Sequence, residues 1–122
     1  MKIVSLILMI LLLAGCDSAV LWEDKPYQVL WLDDTSNRTL SYDFGDGGFI
    51  TRIDAQIVAV GSNNRFIVAK RTLPNTDILV FYYIEKSSDS QFAEGAAGPF
   101  TEAQFQQLKQ KLDLPEFTKT FE

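Results

Sequence analysis

Asp33 and Asp34 are adjacent, and Asp43 and Asp46 bracket a glycine-rich stretch, so the chain offers two places where carboxylates could converge. Paired carboxylates support general acid–base chemistry or bind hard cations through oxygen. Neither pair has what those chemistries further require. Adjacent residues of an extended chain point to opposite faces, which separates Asp33 from Asp34. The stretch Asp43-Phe44-Gly45-Asp46-Gly47-Gly48 lacks the later glutamate of an EF-hand loop, and neither a Lys-Ser pair nor a helix follows it as in a phosphate loop. Asp and Gly are what tight turns demand, so both stretches are read as turns.

The nucleophile inventory is equally restrictive. Serine and threonine abound, but no Ser-x-x-Lys pair supplies a lysine base at helical spacing. The absence of His removes Ser-His-Asp and Cys-His machinery and imidazole metal ligands, and a single Cys forbids an internal disulfide or a cysteine-built zinc site. The pair Lys70-Arg71 reads as a solvated guard at a strand edge, and Tyr82-Tyr83 as packing. With 11 Lys plus Arg against 16 Asp plus Glu, the net charge is -5, which argues against a nucleic-acid partner. The expectation is a protein without enzymatic activity, cofactor or metal.

The one cysteine stands at position 16, and what precedes it is an address. Lys2 is followed by residues 3–13, apolar except for Ser5, a run too short for a spanning helix of ~20 residues. It closes in Leu13-Ala14-Gly15-Cys16, which resembles the lipobox of bacterial prolipoproteins. That resemblance implies a diacylglyceryl group on the Cys16 sulfur and cleavage before Cys16 by signal peptidase II. Asp17, next in the chain, resembles the signal that keeps enterobacterial lipoproteins in the inner membrane. The implied location is the outer face of the cytoplasmic membrane, on its periplasmic side where the host has two membranes. Residues 1–15 are thus read as a signal peptide, 16–26 as a lipidated tether reaching at most ~35 Å, and 27–122 as one globular domain. Within the tether, Trp22 is read as packing back on the domain.

The elements that must position any site follow from punctuation and period. Strands are expected over 27–32, 39–44, 49–60, 65–71 and 78–84, separated by Asp-, Asn- and Gly-rich turns. Along 49–60, Ile53, Ala55, Ile57 and Ala59 share one face. The run 78–84 is apolar on both faces, as befits a central strand covered from both sides. Thr101 as N-cap with Gln104 three residues on makes a capping box, flanked by Phe100 and Phe105 at staple spacing. Phe105, Leu108 and Leu112 form the apolar stripe of a helix that Pro115 stops. An edge strand is expected within 117–121. The fold class is α+β: a mainly antiparallel sheet of about five strands with one C-terminal helix packed on it.

Residues 87–98 read as a long polar connection with Phe92 at its middle and Gly95-Ala96-Ala97-Gly98 at its end. Such a stretch is either a disordered linker or, as long loops on a rigid scaffold often are, a recognition site, in which case Asp89, Phe92 and Glu94 are the candidate partner-binding residues. Phe66-Ile67-Val68-Ala69-Lys70, Tyr82-Tyr83-Ile84-Glu85-Lys86 and Gly98-Pro99-Phe100-Thr101 with Phe105 together resemble an uncharacterised family of small bacterial lipoproteins. The likeness covers roughly residues 50–115 and departs from the family in the longer 87–98 loop. It implies fold and location and carries no mechanism.

The expected function is a membrane-anchored envelope lipoprotein, held through lipid on Cys16, that binds a protein partner. The alternative is an immunity or inhibitor protein whose acidity suits a basic toxin or hydrolase. In a host with two membranes, Asp17→Ser should move the protein toward the outer membrane on fractionation; an unchanged distribution would remove the sorting role.

Overall fold

The computed structural model describes residues 18–90 and 95–121. They form nine strands and one α-helix: β1 (Ser18–Asp24), β2 (Tyr27–Leu32), β3 (Arg38–Asp43), β4 (Phe49–Ile53), β5 (Ile57–Ser62), β6 (Phe66–Thr72), β7 (Leu79–Glu85), β8 (Ala96–Phe100), α1 (Glu102–Leu112) and β9 (Lys119–Thr120). Mostly antiparallel sheet with one helix is the expected composition. The single five-stranded sheet is not: the strands form two sheets, ordered β1-β2-β3-β4 and β8-β7-β6-β5-β9.

The difference arises at three places. Residues 18–24, read as tether, are β1, with Ala19 opposite Trp31 and Trp22 opposite Val29 across β2. Trp22 packs against the core as read, and its pairing carries the flanking residues with it. The run 49–60 is two strands rather than one. Ile53 ends β4 in the first sheet and Ile57 starts β5 in the second, and both enter the same core. A period of two survives such a crossing, because strands of opposed sheets turn their apolar faces to one interior. Between them the Ala55–Gln56 peptide is cis, and Arg71 donates from Nε and Nη2 to the Ala55 carbonyl at 3.0 and 2.6 Å. Lastly, β8 takes up the end of the 87–98 connection and pairs with β7.

The second sheet is buried on both sides. Ile67, Ala69, Tyr82 and Ile84 face Tyr27, Val29 and Leu40 of the first sheet. Phe66, Val68 and Phe81 face the other way, under Phe105 and Leu114. Phe105 stacks between Phe81 and Phe117, with ring centroids 5.1 and 5.8 Å away. The alternation expected along 78–84 is thus realised in β7.

Thr101 accepts the Gln104 amide at 3.2 Å while the Gln104 side chain accepts the Thr101 amide at 3.0 Å, closing the expected capping box. The helix ends before Pro115: Asp113 adopts φ 58°, and its amide bonds to the Lys109 carbonyl. The chain then returns across β5 to pair as β9, the edge strand expected within 117–121. At the crossing, a Cβ on Gly61 would lie 2.0 Å from the Glu116 carbonyl oxygen, so only glycine lets the two backbones approach.

Phe105 is fully buried in the outer core, so Phe105→Ala should cost about 3–5 kcal/mol in urea unfolding. Thr101→Ala should cost about 1 kcal/mol. A smaller loss at Phe105 than at Thr101 would show that the helix is not essential cover for the second sheet.

Candidate functional site

The recognition loop expected around Asp89 begins as a buried ion pair. After β7, a 3-10 turn over Lys86–Ser88 delivers Asp89 to the end of the first sheet. There Asp89 Oδ2 accepts from the Tyr27 hydroxyl at 2.6 Å and from Arg52 Nε at 3.1 Å. The Asp89 and Arg52 side chains are 0% and 1% exposed. The Arg52 guanidinium lies 4.9 Å above the Tyr42 ring and also donates to the Ser90 carbonyl. Tyr42 in turn meets Tyr27 edge to face, with centroids 5.6 Å apart. Among the described residues, Asp89 Oδ1 has no hydrogen-bond partner. A Cβ on Gly95 would approach Asp89 Cβ to 2.7 Å, so the chain returns past the carboxylate only as glycine.

Asp89 is therefore committed to an ion pair inside the fold. A carboxylate leaving β7 falls within reach of Arg52 and Tyr27, and pairing there satisfies a charge that burial would otherwise penalise. Burial, then the hydrogen bond to Asp89, pushes the Tyr27 hydroxyl above its ordinary pKa. Phe92 and Glu94, the other candidates of this loop, lie outside the described residues, as do Cys16 and Asp17.

A second tie lies beside it. Lys86 Nζ donates to Asp24 Oδ2 at 2.7 Å and to the Asn63 carbonyl at 2.6 Å, joining the β1–β2 and β5–β6 turns. Burial lifts the Asp24 carboxyl, but hydrogen bonds from Lys86 and Ser62 outweigh it and leave the group below its ordinary value.

The paired carboxylates do what turns require. Asp34 Oδ1 accepts from the Ser36 amide at 2.8 Å and hydroxyl at 2.9 Å, which hold its pKa down. Asp43 and Asp46 each cap the amide two residues on, at Gly45 and Gly48. Among the described residues no group of three His, Cys, Asp or Glu could hold a metal ion. Lys70 and Arg71 are not edge guards, because β6 lies inside the second sheet. Lys70 Nζ sits 5.0 Å over the Phe117 ring, and Arg71 holds the crossover at Ala55.

The opposite end of the sandwich is open. A cleft of about 490 Å³ lies between the 33–37, 54–56 and 73–77 connections, lined by Ser36, Asn37, Gln56, Asn75, Thr76 and Asp77. Nearby, Arg38, 2% exposed, donates from Nε to the Ile57 carbonyl at 2.9 Å and from Nη1 to the Thr35 carbonyl at 2.7 Å. Burial lowers the pKa of this guanidinium. Amides, hydroxyls and one carboxylate share the lining with Ala55, Leu73 and Pro74, so the cleft is of mixed polarity. The sequence signal for it was limited to loop composition, since its three walls lie up to 41 positions apart (36 to 77).

No protein-family model matches the chain, and neither a curated protein nor a solved structure matches it.

Asp89→Ala would leave Arg52 charged, buried and without its carboxylate, and should cost about 3–5 kcal/mol in denaturant unfolding. The Tyr27 hydroxyl keeps its proton in the folded state to higher pH than the ordinary value of 10.0. The stability this supplies is complete below that pH and lost as pH rises above it. Tyr27→Phe should therefore flatten the decline of stability above about pH 10; an unchanged slope would contradict the buried hydroxyl–carboxylate bond.

Proposed function

We propose that the chain is a bacterial lipoprotein, anchored on the outer face of the cytoplasmic membrane, whose domain binds another protein without catalysis. The observation that carries this reading is Leu13-Ala14-Gly15-Cys16 closing a short apolar run headed by Lys2. Cleavage before Cys16 removes Lys2 and none of the acidic residues, so a chain of -5 becomes a mature domain of -6. Acylation consumes the sole thiol, and more than one acyl chain gives stable anchoring where one alone binds marginally. Among the described residues no helix is long and apolar enough to cross a membrane, so attachment falls to the lipid in this reading.

The binding role rests on how the polar side chains are used. Asp34, Asp43 and Asp46 cap turns, Asp89 pairs with Arg52, and Arg38 and Arg71 hold backbone carbonyls. Groups committed in this way are poorly placed to move protons on a substrate. Surface shape and charge are then what the domain presents, and its acidity suits a basic partner surface.

Cys16→Ser tests the anchor. Palmitate labelling should vanish and the protein should persist as an unprocessed precursor. Normal processing in that variant would defeat the lipoprotein reading.

A further inference from the structure

We infer that the open end of the sandwich, where β1 begins, is a membrane-contact surface that rests on a zwitterionic lipid headgroup layer. This deepens the lipoprotein reading and rests on it. Only Asp17 separates Cys16 from Ser18, the first residue of β1. Two residue steps span at most about 7 Å, whereas a seven-residue strand runs about 23 Å. A lipid on Cys16 therefore holds the Ser18 end at the headgroups, and it leaves no leash on which the domain could stand away.

The composition of that end fits the contact. Ser18 pairs with Leu32, and the Arg38 bond to the Ile57 carbonyl brings the start of β5 to the same level. The 33–37 and 73–77 connections meet there around the cleft. Among the described residues, six large apolar side chains are prominently exposed: Val20, Leu21, Leu32, Ile50, Ile78 and Leu79. Leu32, Ile78 and Leu79 belong to this end, Leu32 opposite Ser18 and Leu79 opposite Thr72, while Val20 and Leu21 lie midway along β1. Clustered exposed apolar groups on a small domain mark an interaction surface. Side chains of this size insert at an interface without requiring a hydrophobic helix.

Charge selects the headgroup. Asp33, Asp34, Asp54 and Asp77 are exposed on the same connections. Arg38 is buried and Arg71 half-buried on the Ala55 carbonyl, which leaves the exposed Lys119, beside Leu21 and Thr35, as one ammonium against four carboxylates. Anionic headgroups would be repelled, whereas the outermost ammonium of phosphatidylethanolamine meets carboxylates favourably.

The test uses the full-length protein, recovered lipidated from membranes and reconstituted in phosphatidylethanolamine/phosphatidylcholine vesicles. Because Cys16 carries its lipid as a thioether, one added cysteine takes a fluorophore selectively. Leu32→Cys and Ile78→Cys report the proposed contact, and Asn64→Cys reports the opposite end. Headgroup-level spin-labelled lipid should quench positions 32 and 78 and spare position 64. Replacing phosphatidylethanolamine with phosphatidylglycerol should reduce that quenching. Equal quenching at all three positions, or stronger quenching at 64, would overturn the contact surface. Stronger quenching on phosphatidylglycerol would overturn the headgroup assignment. The mass of the N-terminal peptide from the same preparation separates the two levels: a lipid-free Cys16 sinks the anchor reading with this inference, while a lipidated Cys16 with equal quenching sinks only the inference.

Discussion

The second sheet must bury both of its faces, and the rest of the structure answers that requirement. β6 and β7 send Ile67, Ala69, Tyr82 and Ile84 to one side and Phe66, Val68 and Phe81 to the other. One face is covered by the first sheet and the other by the C-terminal helix. Each fully buried side chain of this kind contributes about 1.5–3 kcal/mol, so the apolar layers outweigh any single polar tie. The return of the chain over Gly61 to β9 is part of the same cover, because Phe117 travels with it onto Phe81 and Phe105.

Arginines organise the junctions that the apolar layers leave open. Arg71 bonds the Ala55 carbonyl where the chain passes between sheets, and Arg38 bonds the Ile57 carbonyl where it resumes. Arg52 joins Asp89 and the Ser90 carbonyl where β7 gives way to the connection beyond it. A guanidinium suits all three positions because its donors fan out in a plane and remain charged when buried. The charged residues most suggestive of chemistry thus serve the connections between elements.

Local features were legible in the sequence, and long-range ones were not. The capping box at Thr101 and Gln104 depends on residues three apart, and the double-faced pattern of β7 depends on neighbours alone. The Asx turns at Asp34, Asp43 and Asp46 are local in the same sense. The crossing at residues 54–56 escaped because opposed sheets share one interior, so alternation runs through the break unchanged. The buried pairing of Asp89 was not legible because its partners, Tyr27 and Arg52, stand 62 and 37 positions away. Its setting among Ser87, Ser88 and Ser90 carries the composition of a solvated loop. β1 was hidden just after Cys16, where a short polar and apolar mixture reads equally as tether or edge strand.

That last difference matters most for the function proposed. Were Cys16 lipidated, a free tether of 11 residues would let an acidic domain stand tens of ångströms from the bilayer, whereas pairing of β1 with β2 would bring one end to the headgroups. The pairing runs from Ser18 opposite Leu32 to Asp24 opposite Tyr27. Amide hydrogen exchange on the native lipidated protein measures it directly, since a paired strand opens only at a free-energy cost and a tether opens at almost none. Protection of the paired β1 amides approaching that of β2 is the expected result. Exchange throughout residues 18–24 at the rate of an unstructured peptide would contradict it.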